Sequence, residues 1–273
     1  MPMRPGRTVS SGFTLIEMVM VLVILGVVGS MVAVFMKHPV DAYFAAGRRA
    51  ALTDVADTAV RRMARDVRRA LPNSVSNPNS QCIEFIPTKT GGRYRAVDIA
   101  AGDDTSLAIA AADTTFNMLG VNDALPADQR IAAGDLIAVY NLGIPGSDAY
   151  SGSNTAVVSS VVSGTETVVN IASQTFLLAS PENRFQVIPG SENVVAYVCD
   201  SGNLRRTTRA FAAGPCPASG AILAKNVAAC NFSYVPLSSS QRDARVEFTI
   251  SVTDSAADET VTLYHEVHAE TTP

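Results

Sequence analysis

The 273-residue sequence has no tryptophan, three histidines and four cysteines. Histidine and cysteine are the usual ligands of transition metals, and no C-x-x-C spacing occurs, so a metal cluster has little to be built from. Charge is scarce too. Charged residues are 17% of the chain against 47% hydrophobic ones, which excludes a disordered polyampholyte and supplies ample core material. With 21 basic and 25 acidic residues the net charge is −4, without the positive excess a general nucleic-acid binder needs to neutralise phosphates. The sequence shows no internal repeat, phosphate-cradling loop, nucleophile elbow or nucleotide motif. Length leaves room for one large domain or two small ones.

The scarcity of charge becomes extreme near the N-terminus. Residues 1–12 are polar and carry Arg4 and Arg7 without any acid, and an apolar run then extends from Phe13 to Met36. Thr14, Glu17, Gly26, Gly29 and Ser30 are its only interruptions. Its 24 residues make a helix of roughly 36 Å, enough to cross a hydrocarbon core of about 30 Å. Lys37, His38 and Pro39 close it. The basic leader is expected to stay in the cytoplasm, which places everything after Met36 outside in a single-pass arrangement. A secretory signal has a shorter apolar stretch and a small-x-small cleavage site. A plain anchor explains the length but not Glu17, because a charge at mid-helix costs about 2.5–3.5 kcal/mol on insertion scales.

Gly12-Phe13-Thr14-Leu15-Ile16-Glu17 resembles the processing motif of type IV prepilins and the related pseudopilins. The resemblance implies cleavage between Gly12 and Phe13 by a prepilin peptidase, which is also the methyltransferase that acts on the new amino terminus of Phe13. It implies that Glu17 meets the amine of a neighbouring subunit and sets the axial register in a fibre, an attraction strengthened where the dielectric is low. The implied partners are other major and minor pilins, the inner-membrane assembly platform and inner-membrane lipid, with no nucleic acid. The implied destination is a pilus at the cell surface.

Beyond a bend expected at Pro39, apolar residues recur at Leu52, Val55, Ala59, Met63, Val67 and Ala70/Leu71, the spacing of an amphipathic helix. Pro72-Asn73-Ser74 is expected to end it. Opposite the stripe lie Arg61, Arg62, Arg65, Arg68 and Arg69. Residues 37–71 hold 8 basic and 4 acidic residues, a net +4, whereas residues 72–273 hold 11 and 20, a net −9. The plain reading of the arginines is a solvated face with Asp54, Asp57 and Asp66 nearby; packing against the acidic body of another subunit is the alternative. No aromatic residues interleave with them, as strand-stacking surfaces require.

After Leu71 the period changes to short alternating runs separated by Gly, Asn, Asp and Pro. Candidate strands are 82–87, 94–99, 135–141, 155–162, 167–172, 194–199, 204–208, 230–235, 245–253 and 260–269, with hairpin connections at 200–203 and 254–259. Residues 102–153 lack strong periodicity and read as long loops or an inserted subregion. The expected organisation is a leader at 1–12, a membrane and assembly helix at 13–36, its amphipathic continuation at 37–71 and a β-rich globular region at 72–273. The fold class is α+β and pilin-like, a long helix packed on antiparallel sheet.

Cys82, Cys199, Cys216 and Cys230 fall on the exported side and suggest two disulfides. Three pairings exist; Cys199 with Cys216 is preferred because it closes a compact loop, which would leave Cys82 to Cys230. His265 and His268 lie three apart in a strand-like segment, which sends them to opposite faces rather than to one metal. Asp103-Asp104 and the group Asp254, Asp258 and Glu259 lack EF-hand spacing and read as turn-forming acids. Nothing supports a catalytic, metal or cofactor assignment, and the chain is expected not to be an enzyme.

Several further segments are similar to the minor pilins of mannose-sensitive haemagglutinin (MSHA) biogenesis, of the MshO type. They are 39–43, the arginine-rich 61–74, 92–95, 195–199 and 261–273. The resemblance covers both ends well and the middle poorly. It implies a minor subunit that helps to initiate or organise pilus assembly. J-type pseudopilins of type II secretion are the neighbouring family, and a pilus-tip adhesin is the third role open to such a chain.

Overall fold

The computed structural model describes residues 12–236 and 243–273; most of the leader, residues 1–11, lies outside the described residues. Among the described residues a long α-helix, α1 (Leu15–Arg68), precedes fourteen strands. The chain divides into two compact units, the first ending at Ala51 and the second running from Leu52.

In the first unit α1 carries no buried residue. Its side chains from Leu15 to Met36 are apolar with few exceptions, which is a helix without a core of its own. Pro39 removes one ladder hydrogen bond and lies inside α1, which continues through it as the helical pattern beyond Pro39 suggests.

In the second unit the last turns of α1 bury Ala56, Ala59, Val60, Met63, Ala64 and Val67. The apolar stripe is rotated slightly from the predicted one: Ala56 is fully buried and Val55 is 40% exposed. The helix stops at Arg68, three residues before the expected end, because Ala70 leaves it to bridge Pro87 and the Leu71 N–H donates to the Ile86 carbonyl.

This helical face packs on two antiparallel sheets. The first has the order β1 (Ser76–Asn79), β2 (Cys82–Phe85), β9 (Val194–Asp200), β10 (Asn203–Arg209), β11 (Ala221–Lys225). The second has the order β12 (Val227–Val235), β13 (Asp243–Asp254), β14 (Glu259–Glu270). Val246, Phe248, Ile250 and Val252 of β13 alternate into the shared core, with Phe232 and Phe248 edge to face at 6.0 Å. Both predicted hairpins form. Ser201 and Gly202 have φ of 50° and 73°, the left-handed pair that a tight two-residue hairpin requires, and Asp254 pairs with Glu259 across the second turn.

Between β2 and β9, which pair with each other directly, the chain makes an excursion. Its strands are β3 (Thr90–Arg93), β4 (Ala112–Met118), β5 (Leu136–Val139), β6 (Thr155–Val162), β7 (Thr167–Thr175) and β8 (Arg184–Ile188). Their order is β3-β8-β5-β6-β7-β4, and the two ends meet. Tyr94 bridges Met118, the Leu119 N–H donates to the Arg93 carbonyl at 2.9 Å, and the Arg95 N–H donates to the Asn117 carbonyl at 2.9 Å. The result is a small closed barrel filled by its own side chains, among them Phe116 and Phe185 edge to face at 5.5 Å. The region read as loops or an inserted subregion therefore contributes two staves of a barrel. The candidate strand at 94–99 is displaced: the stave is Thr90–Arg93, and only Tyr94 joins a bridge.

Barrel and sheets meet at an apolar seam of Leu71, Ile86, Ala138, Ala149, Ile188 and Val194. A buried ion pair stands beside it. Arg209 of β10 donates from Nε and Nη2 to Glu84 of β2 at 3.1 and 2.6 Å, and its Nη1 donates to the carbonyls of Ala210, Phe211 and Ala213.

The cysteine pairing differs from the preferred one. Cys82 is joined to Cys216 and Cys199 to Cys230, with Cα separations of 6.0 and 6.5 Å. Strand alternation is the reason. Cys82 shares the outer sheet face with Ala196, Val198 and Cys216, whereas Cys199, one residue beyond Val198, turns to the helix-side core beside Cys230. A compact Cys199–Cys216 loop would have to pass through the sheet.

Candidate functional site

The cleavage-motif residues gather at the start of α1. Gly12 and Phe13 precede the helix, and Phe13 is 81% exposed. Among the described residues nothing lies within 4 Å of where a Gly12 Cβ would stand, so packing among them does not demand glycine there. Thr14 is the N-cap: its carbonyl accepts from the Glu17 and Met18 N–H groups at 3.1 and 3.3 Å, and its Oγ1 accepts from the Glu17 N–H at 3.4 Å. Thr14-Leu15-Ile16-Glu17 thus has capping-box spacing, with Glu17 in the first turn, where the helix dipole favours an acid. The T-x-x-E spacing was available in the sequence, but Thr14 reads there only as an interruption of the apolar run. The Glu17 carboxylate has no ion-pair partner among the described residues. An 18-residue window of α1 has a mean hydropathy of 2.8, and α1 is long and apolar enough to cross a membrane.

The arginine-bearing turns belong to the second unit. Arg61 pairs with Asp57 at 2.6 Å. Arg62, Arg65, Arg68 and Arg69 are exposed and make no ion pair among the described residues. Asp66, expected beside them, turns inward instead. It accepts the Tyr197 hydroxyl at 2.6 Å and Arg206 Nε at 3.1 Å, while Arg206 forks onto Glu192 with two bonds of 2.8 Å. The fork lowers the Glu192 pKa, and burial followed by the Asp66 contact pushes the Tyr197 hydroxyl up. This network ties α1, β9 and β10 to the segment returning from the barrel. Its members lie up to 140 residues apart, so no local pattern announces them.

A cleft of about 340 Å³ opens beside the network, lined in part by Arg69, Lys89, Thr90, Asp128, Gln129 and Arg206. Lys89 is held by Asp135 at 2.5 Å.

Other singled-out residues stay apart. His265 and His268 fall on opposite faces of β14 by strand alternation, opposite Phe248 and Arg245. Asp103 accepts the Ala100 N–H and the Thr105 hydroxyl, and Asp254 accepts the Ala256 N–H, which are turn-forming contacts. Gly91 and Gly92 form part of β3.

No curated protein and no solved structure matches the chain. Residues 7–33 match the family model described as the prokaryotic N-terminal methylation motif, a type IV prepilin-like segment that spans the Gly12–Phe13 junction, Glu17 and most of the apolar run. The match covers 27 of the 273 residues and shows a type IV prepilin-like N-terminus, a motif that implies processing by prepilin peptidase and assembly with other pilins.

Proposed function

We propose that this protein is a minor pilin or pseudopilin, a structural subunit that helps to initiate or organise assembly of a type IV pilus of the MSHA kind. Prepilin peptidase cuts between Gly12 and Phe13 and methylates Phe13. The Phe13–Met36 helix stays in the inner membrane as a single pass, with the globular region in the periplasm, until the assembly platform moves the subunit into a pilus at the cell surface.

The observation that carries this reading is Glu17. It is a carboxylate without a counter-ion among the described residues, in the first turn of an apolar, unburied helix within the methylation motif. A charge in hydrocarbon costs several kcal/mol unless paired, and the amine freed at Phe13 of a neighbouring subunit is the cation the processing chemistry supplies. Gly12 supports the cleavage site, because its lack of a side chain serves no packing among the described residues. A minor subunit is favoured over a major one because the inserted barrel adds bulk that tight repetition along a fibre does not need.

The test is Glu17→Val in the cell that makes the fibre. Cleavage at Gly12, read by the mass of the N-terminal peptide, continues, while the protein leaves the sheared-fibre fraction. Normal incorporation of the variant would refute the role of Glu17, and a wild-type chain that keeps its first twelve residues would refute the reading. The barrel favours a second role, tip adhesion through its loops. A J-type pseudopilin of type II secretion is the alternative with the same N-terminal chemistry, distinguished by whether deletion abolishes protein export or piliation.

A further inference from the structure

Arg65 and Arg68 on the last turn of α1, and Arg69 just past its end, meet no carboxylate among the described residues, whereas Arg62 lies in the field of Glu192. Arg62, Arg65 and Arg69 are spaced by three and four, with Arg68 beside them, so they share one face. Like charges at these spacings repel by a few tenths of a kcal/mol per pair. The helix dipole rewards cations in the last turn, which accounts for Arg65 and Arg68 but not for Arg69 beyond the helix end, and it does not explain why Asp66 points away from the stripe. The stripe runs into the cleft at Arg69, where Lys89 and Arg206 stand with Asp66, Asp128 and Glu192, so the positive excess of the groove comes from the helix side. Their own carboxylates do not exhaust Lys89 and Arg206. Arg206 uses three of its five N–H donors on Asp66 and Glu192, and Lys89 uses one of three on Asp135. The side chains of Thr90 and Gln129 in the same wall have no hydrogen bond among the described residues.

We propose that this helical face and cleft form a docking groove for an extended acidic peptide segment of a partner protein. Charge complementarity selects the acid. Asp128, the unpaired carboxylate of the cleft, selects a peptide over a phosphate surface, because a peptide also brings N–H donors and a phosphate brings none. The dimensions agree. Arg62 to Arg69 covers about 10 Å of helix axis, the reach of about three extended residues. Carboxylates on alternate residues of such a segment stand about 7 Å apart, close to one helical turn. The groove lies within the second unit and goes beyond the assembly role, which rests on the N-terminal motif, so either reading can fail alone.

The test uses the full chain in dodecyl maltoside and a fluorescent hexapeptide of alternating Glu and Ser, read by anisotropy. Saturable binding that weakens with added salt is expected, with no binding of the matching Lys-Ser peptide. The triple variant Arg65→Gln, Arg68→Gln, Arg69→Gln loses at least tenfold in affinity with an unchanged thermal midpoint. Arg245→Gln, on the outer face of β13 where Arg245 is already paired with Glu247, binds as the unaltered protein does. Absence of saturable binding, or a triple variant that binds normally, overturns the proposal. So does displacement of the peptide by phosphatidylglycerol vesicles at lower concentration than by unlabelled peptide, which would make the groove a lipid-phosphate surface.

Discussion

Removing Glu84 tests how the barrel and the sheets are joined. Glu84 and Arg209 have side-chain exposures of 5% and 7%, and the fork between them is bidentate. The Arg209 guanidinium also lies 5.7 Å from the Tyr150 ring centroid, on the barrel side of the seam. Glu84→Ala leaves that cation buried without its anion, and breaking a buried pair from one side costs about 3–5 kcal/mol. Replacing both partners, as Glu84→Leu with Arg209→Met, removes the stranded charge, and such exchanges are often neutral or stabilising. Here three loop carbonyls also lose their donor, at about 1 kcal/mol for each bond. The double variant should therefore recover part of the loss rather than all of it. Urea unfolding of the full chain in detergent, followed by circular dichroism with linear extrapolation, measures each term. A cost below about 1 kcal/mol for Glu84→Ala would mean that water reaches the pair, and the buried-latch argument would be wrong.

Peptide mapping without reductant should recover Cys82 linked to Cys216 and Cys199 linked to Cys230; a Cys199–Cys216 peptide would refute the two-face placement of these residues. On chain-entropy grounds, loss of the 134-residue link should cost more than loss of the 31-residue link, by about 1 kcal/mol. Acid should destabilise the second unit. The Glu192 pKa is lowered by Arg206, so its contribution is complete above the ordinary glutamate range and disappears as pH falls through the lowered value. Glu192→Gln should flatten the stability profile below about pH 4.5, and an unchanged acid limb would count against the network.

Parts of this protein that follow from neighbours in sequence were readable, and parts that follow from neighbours in space were not. The apolar run, the hairpin at Ser201-Gly202 and the alternation of β13 and β14 are local patterns. β1 reads Ser-Asn-Pro-Asn and β3 reads Thr-Gly-Gly-Arg, compositions that signal turns. In β3 the glycines allow close approach instead: a Cβ on Gly91 would stand 2.9 Å from the Phe185 carbonyl oxygen, and one on Gly92 would stand 2.8 Å from the Phe185 ring. Barrel closure rests on Tyr94 reaching Met118, and the cysteine pairing rests on which face of β9 each residue occupies. At the N-terminus the motif is contiguous, so a local reading and the family match over residues 7–33 fall on the same segment.

Closure of the barrel also decides how its role can be separated from assembly. A sheet with free edges can recruit a partner by strand addition, but a closed one offers only loops and side chains. Deleting residues 102–153 would test nothing cleanly, because it removes β4 and β5 and leaves β6, β7 and β8 with one partner each instead of two. Excising residues 87–192 and joining Ile86 to the start of β9 is the sounder cut, since β2 and β9 already pair, with Phe85 opposite Val195. The helix-side core and all four cysteines remain. The cut uncovers Leu71, Ile86 and Val194, which lose Ala138, Ala149 and Ile188 as cover, so Thr at Ile86 and Val194 should accompany it. The shortened protein is expected to form both disulfides and unfold in one transition; scrambled disulfides would show that the barrel is part of the folding unit. If the folded, barrel-less chain still enters the fibre while attachment to surfaces fails, the loops of the barrel carry adhesion. If entry into the fibre fails while cleavage at Gly12 continues, the barrel is itself an assembly surface, and adhesion loses its support.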